Sequence, residues 1–180
     1  MILRRSFYAR PCLEVAEDLI GKWLVHGPLS GRIVETEAYI GVEDQACHAR
    51  FGQTKRARIL FGPPGRAYVF LIYGMYDCFN VVAEAKGRPA AVLIRALEPG
   101  PGVENKTDGP GKLCRALAIT RAHNDRDLTR GDLHLEDRNS PRGHIVTTPR
   151  IGVDYAGEWA ARPWRFVDAE SRFLSKKLRR

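Results

Sequence analysis

The chain has 180 residues, 44% of them hydrophobic and 28% charged, with Lys+Arg 29 against Asp+Glu 21 and a formal net charge of +8. That length suits one domain able to bury roughly 70% of its unfolded surface, and the composition excludes a disordered tail, a collagenous rod and a coiled coil. The basic balance points to a polyanionic partner, because each neutralised phosphate releases a counterion; a generic cationic surface is the alternative.

The N-terminal MILRRSFYARP has basic residues but no apolar stretch after them, which argues against a secretory signal. No run approaches the roughly 18 apolar residues of a membrane span. The expectation is a cytoplasmic protein associated with the nucleoid, with no membrane partner. Residues Cys12 to Ile20 read as a helix. Residues Arg32 to Ile40, RIVETEAYI, read as a strand whose alternation puts Ile33, Glu35, Glu37 and Tyr39 on one face. A carboxylate beside an aromatic wall can be desolvated towards the working range of a general base. A solvated outer face with an incidental tyrosine is the other possibility.

Residues Ala67 to Val82 read as two strands joined at Gly74-Met75, with positive φ at the glycine. Tyr68, Phe70 and Ile72 share one face and Val69, Leu71 and Tyr73 the other, while Tyr73 and Tyr76 flank the turn. An aromatic on a projecting ribbon can wedge between bases and fill the gap left by an extruded nucleotide. A cross-strand tyrosine pair, worth up to about 1 kcal/mol, explains the same pattern. Ala90 to Leu97 is a third strand, and Gly111 to Arg121 reads as a helix with Leu113, Ala116, Leu117 and Ile119 inward. GxxxxGK[ST] is missing there, so nucleotide triphosphate binding is rejected. Lys112 in the first turn and Arg121 at the far end suit backbone phosphates, or a plain capped helix carrying surface cations. Asn139 to Pro149 looks irregular, and SRFLSKKLRR, residues 171 to 180, reads as a basic tail.

Cys12, Cys47, Cys78 and Cys114 lie more than 30 residues apart without a CxxC pair, and the five histidines form no HExxH. Reduced, packed thiols are expected, with no metal and no cofactor. Together these elements make a single α+β domain over residues 1–180 with a largely antiparallel sheet.

Five segments, RIVETEAYIGVEDQACHAR, AYVFLIYGMYDCFNVV, VLIRALEP, GPGKLCRALAI and RIGVDYAGEWAARPWRF, span most of Glu14 to Phe166. In order and spacing they resemble the alkyladenine (3-methyladenine) DNA glycosylase family. The resemblance implies a curved sheet with flanking helices and a protruding hairpin that inserts into DNA. It implies a monofunctional, monomeric enzyme that flips alkylated purines (3-methyladenine, 7-methylguanine) and deaminated hypoxanthine from duplex DNA and hydrolyses their glycosidic bond.

By position, Glu37 matches the acid that activates water, and Arg95 the arginine that holds it. Tyr39, His48 and Phe70 match the walls of the base pocket, some relatives carrying Tyr where Phe70 stands. Asn80 matches the residue that crowds the exocyclic amine of guanine, Tyr73 the intercalating side chain, Lys112 and Arg121 phosphate contacts, and Val153 a water-contacting carbonyl. None of these pocket positions is Lys, so no Schiff-base lyase step is expected. The chain lacks the long N-terminal extension of eukaryotic relatives and has a shorter loop after Pro99, which suggests a bacterial member. A non-catalytic nucleic-acid-binding module and an RNA-modifying hydrolase are the rival readings.

Overall fold

The computed structural model describes residues 1–178. Its centre is one eight-stranded antiparallel sheet that curls into a half-barrel. The strands are β1 (Trp23–His26), β2 (Leu29–Ile40), β3 (Ala67–Ile72), β4 (Tyr76–Val82), β5 (Ala90–Pro99), β6 (Leu133–Glu136), β7 (Ile145–Thr148) and β8 (Arg165–Asp168). They run in the order β3-β4-β5-β2-β1-β6, with β8 paired to both β2 and β7. Among the described residues three short α-helices accompany them, α1 (Arg5–Tyr8), α2 (Cys12–Asp18) and α3 (Pro110–Ala116), beside several 3-10 turns.

β2 organises the sheet. One edge pairs with β5 along its length, while the other pairs first with β1 through Leu29–Arg32 and then with β8 through Glu35–Glu37. At the handover the β2–β5 register slips on either side of Glu35, displacing Val34 on one strand and Arg95 on the other. Such an irregularity bends the strands and re-aims side chains. It corrects the simple alternation: Ile33 does not share the face of Glu37 and Tyr39 but enters the main core with Ala38, Val92 and Ile94. The same device turns Glu35 and Arg95 towards Glu37. Glu35 and Glu37 are both 0% exposed, so the solvated-face alternative fails.

The main core lies between the sheet and the helices, where Val15, Ala16, Leu19 and Ile20 meet Phe79, Val81 and Ile94. The α2 helix stops at Asp18, two residues short of expectation, and Gly21 at φ +88 turns the chain into β1. The α3 helix ends at Ala116 rather than Arg121. Its last turn closes with Ala118 N–H on the Arg115 carbonyl and Ile119 N–H on the Cys114 carbonyl. This is a Schellman closure with alanine at φ +53 in the place glycine usually takes. Arg121 therefore starts a separate one-turn helix. The segment expected to be irregular contains β7, paired to β8. All four cysteines are buried free thiols.

The β3–β4 hairpin turns through Tyr73 and Gly74, at φ +52 and +67. Tyr73 thus occupies the turn itself rather than preceding it. A bulky side chain at positive φ is uncommon, and this one is 79% exposed. The basic tail is held to the rest of the fold over its described part. Within residues Ser171 to Leu178, Ser175 bonds to Glu35 and the Lys176 carbonyl accepts from Arg165; positions 179 and 180 lie outside the described residues.

Candidate active site

Above the face of β2–β5 that carries Tyr39 and Leu93 lies a cleft of about 840 Å³, within the roughly 300–1,000 Å³ range of ligand pockets. Tyr39, Tyr68, Phe70, Cys78, Asn80, Leu93 and Arg95 reach it from the strands. His48, the Tyr73 tip, the Gly109–Lys112 segment and the Ile151–Val153 loop complete its lining. A second core of Cys47, Ala49, Ala57 and Leu60 holds the His48 segment against Tyr68.

The aromatic wall is ordered by one hydrogen bond. Tyr68 Oη stands 2.7 Å from His48 Nδ1, and the His48 ring meets Phe70 edge-on with centroids 4.7 Å apart. Burial first, then Arg56 and Arg50, holds the imidazole below its usual pKa, so the ring is neutral near pH 7. If the Tyr68 hydroxyl is the donor in this pair, the neutral imidazole carries its proton on Nε2. Tyr68 was not among the expected site residues, although its place two positions before Phe70 on the same face was a usable signal. Asn80 is fixed by donation from its amide nitrogen to the Tyr68 carbonyl at 3.1 Å.

Glu37 lies one layer behind this wall. Its Oε2 accepts from Tyr39 Oη at 2.8 Å and Arg95 Nη1 at 3.3 Å, and its Oε1 accepts from Ile151 N–H at 2.7 Å. All three partners line the cleft, whereas Glu37 adds no surface of its own. Burial raises the carboxyl pKa above its ordinary 4.5, opposed by Arg95, the Ile151 N–H and the Tyr39 hydroxyl. Burial and the neighbouring carboxylate push the Tyr39 phenol well up, keeping it a donor. Arg95 also reaches Glu35 through Nε at 3.2 Å.

A second buried ion pair supports Tyr39 from behind. Arg150 grips Asp44 with two bonds of 2.7 and 2.9 Å, and its guanidinium lies 4.8 Å from the Tyr39 ring centroid. Asp44 also accepts from Ile40 and Ala46 N–H groups, tying the loop after β2 to the strand. Local sequence gives no sign of this pair, whose members are 106 residues apart.

The remaining expected residues are spread around the mouth. Lys112 lines the cleft and bonds to Asp108 at 3.0 Å. Arg121 lies outside it, 3.1 Å from Asp77, in a neighbouring depression with Lys55 and Arg56. Val153 lines the cleft while its carbonyl accepts from Ala156 N–H at 2.9 Å. Among the described residues, no group of three or more His, Cys, Asp or Glu could hold a metal ion, and no helix is long and apolar enough to cross a membrane.

The model of the methylpurine-DNA glycosylase family matches residues 6–172. A protein of Anaeromyxobacter sp. is 57% identical, covering 98% of this chain and 93% of its own length. One from Methanocella arvoryzae is 54% identical, covering 98% and 96%, and one from Legionella pneumophila is 49% identical, covering 97% and 98%. All three are provisionally named 3-methyladenine DNA glycosylase. With a ring-lined cleft over a buried carboxylate and a match along nearly its whole length, the chain belongs to the methylpurine-DNA glycosylase family and is a DNA glycosylase, a hydrolase of base-excision repair.

Proposed function

We propose that this glycosylase flips alkylated purines, 3-methyladenine and 7-methylguanine, and the deaminated purine hypoxanthine out of duplex DNA, and hydrolyses their glycosidic bond with water activated by Glu37. One observation carries the assignment. A carboxylate offers about four acceptor sites, and Glu37 fills three with donors from the cleft wall. The fourth, on Oε1 beside the Ile151–Val153 loop, is the seat for the attacking water, with the Val153 carbonyl as its second partner. Because Glu37 has zero exposure, the water enters with a small displacement of this loop or of Tyr39 when DNA binds.

Opening the duplex costs a few kcal/mol, least at a damaged pair. Stacking on Tyr39, His48 and Phe70 offsets this at roughly 1–3 kcal/mol per base, and Tyr73 fills the vacated stack. A purine methylated at N3 or N7 is cationic, so it is drawn to aromatic faces and is already a good leaving group. The neutral His48 ring donates from Nε2 to the purine edge without repelling that cation. Glu37 takes the proton from the water that bonds to the sugar carbon as the glycosidic bond breaks, and its charge stabilises the oxocarbenium-like sugar; the cationic methylpurine departs neutral, whereas hypoxanthine takes up a proton as it leaves. Arg95 keeps Glu37 ionised, Asn80 crowds the exocyclic amine of guanine, and Lys112 and Arg121 hold flanking phosphates. The enzyme acts as a monomer on chromosomal DNA in the cytoplasm.

Duplexes carrying 7-methylguanine or hypoxanthine, incubated with the protein in chelator, release free base and leave an unbroken abasic strand. Tight, salt-sensitive binding without base release identifies a binding module instead. Preferential release from ribose substrates identifies an RNA hydrolase.

A further inference from the structure

Behind Arg95, the C-terminal segment closes over four buried charges that sum to zero: Glu35, Glu37, Arg95 and Arg165. Arg95 is shared between the two acids at nearly equal length, Nε to Glu35 at 3.2 Å and Nη1 to Glu37 at 3.3 Å. Both contacts are at the long end of the hydrogen-bond range, so the place of Arg95 depends on how strongly Glu35 draws it. Glu35 is satisfied mainly by other donors. Arg165 Nε donates to Oε1 at 2.7 Å, the Ser175 N–H to Oε2 at 2.6 Å and the Ser175 hydroxyl to Oε1 at 2.7 Å. Ser175 Oγ also accepts from Arg95 Nε at 3.3 Å. The segment is clamped here by Arg165 Nη2 on the Lys176 carbonyl at 2.7 Å.

We propose that Ser175 and Glu35 are positioning residues for the excision reaction, holding Arg95 against Glu37, so that the C-terminal strap belongs to the catalytic geometry rather than to DNA binding. The proposal rests on Glu37 as the general base. Neither Ser175 nor Glu35 lines the cleft, so neither touches the base. Without the Ser175 hydroxyl, Glu35 loses a donor and Arg95 Nε loses an acceptor, and both changes pull Arg95 towards Glu35. Glu37 then keeps less compensating charge. It is left facing Glu35 and Tyr39 on its own strand, Cys78 on β4, Arg150 beyond the ring of Tyr39 and Arg165 on β8. Its carboxylate protonates at a higher pH, and the base form is lost earlier as pH falls.

The test is single-turnover excision from a hypoxanthine duplex under saturating enzyme, measured across pH for Ser175→Ala, Ser175→Thr and Lys177→Ala. Losing one hydrogen bond to a charged group lowers the Ser175→Ala rate about tenfold at neutral pH. The acid limb moves to higher pH, and affinity for the lesion duplex stays within about twofold, as a positioning role requires. Ser175→Thr, which keeps the hydroxyl, restores rate and limb, and Lys177→Ala leaves both unchanged. Ser175→Cys, of similar volume with a weaker donor, shows the same direction at smaller size if the alanine variant folds poorly. A wild-type rate and profile in Ser175→Ala overturns the proposal, as does a pH-independent loss that threonine fails to rescue. Glu37→Gln run alongside separates the two ideas: an active Glu37→Gln removes the general base itself, while an inactive one beside a fully active Ser175→Ala removes only the role of the strap.

Discussion

The Asp44–Arg150 pair is a buried ion pair whose loss destabilises the fold. Both side chains are 0% exposed. Asp44→Ala strips Arg150 of its two carboxylate bonds and leaves the guanidinium with the Ala38 and Trp159 carbonyls and the neighbouring Tyr39 and Trp164 rings. Breaking a buried pair from one side typically costs about 3–5 kcal/mol, because a charge stays behind uncompensated. For a chain of this length about 2–4 °C of Tm follows each kcal/mol, which places the loss at roughly 6–20 °C. Thermal unfolding followed by circular dichroism measures it directly. Arg150→Met combined with Asp44→Ala removes both charges, so the double variant loses clearly less than the sum of the two single variants. A shift below about 2 °C in Asp44→Ala, or strict additivity in the double variant, refutes the reasoning. The variant also releases the loop that leads to His48 and the backing of Tyr39, so base excision falls with stability.

Two further predictions concern the cleft. Tyr68→Phe removes the hydroxyl partner of His48 Nδ1 and with it the bond that would hold the imidazole proton on Nε2; a single-turnover rate about tenfold lower is expected, and an unchanged rate shows that the tautomer is irrelevant. Tyr73→Ser shortens the exposed tip side chain and weakens base flipping, followed with a fluorescent base analogue beside the lesion, more than it weakens binding to undamaged duplex. Equal losses in both contradict a wedge.

The hairpin was legible because each strand carries an unbroken β-rich run and glycine marks the turn. The family resemblance singled out the acid, and its place on one face with Tyr39 was legible because alternation holds from Glu37 to Tyr39. It fails two residues earlier, where the register slip at Glu35 lets Ile33 join the core, and nothing local encodes a slip that depends on β5. The end of α3 was misplaced for a comparable reason: Ala118 performs a turn that sequence rules assign to glycine. The short strands β1, β6, β7 and β8 have four residues each, too few for a periodic signal against their loops. The anchorage of the strap was not legible, because its charges are conspicuous while its binding residue, Ser175, makes its bonds 140 positions away at Glu35.

The central claim is that a buried carboxylate primes the water. Its most direct test is single-turnover release of hypoxanthine by Glu37→Gln, with affinity for the same duplex measured in parallel. The expected rate is roughly 10²–10⁴-fold below wild type at nearly unchanged affinity; release within twofold of wild type contradicts a carboxylate general base.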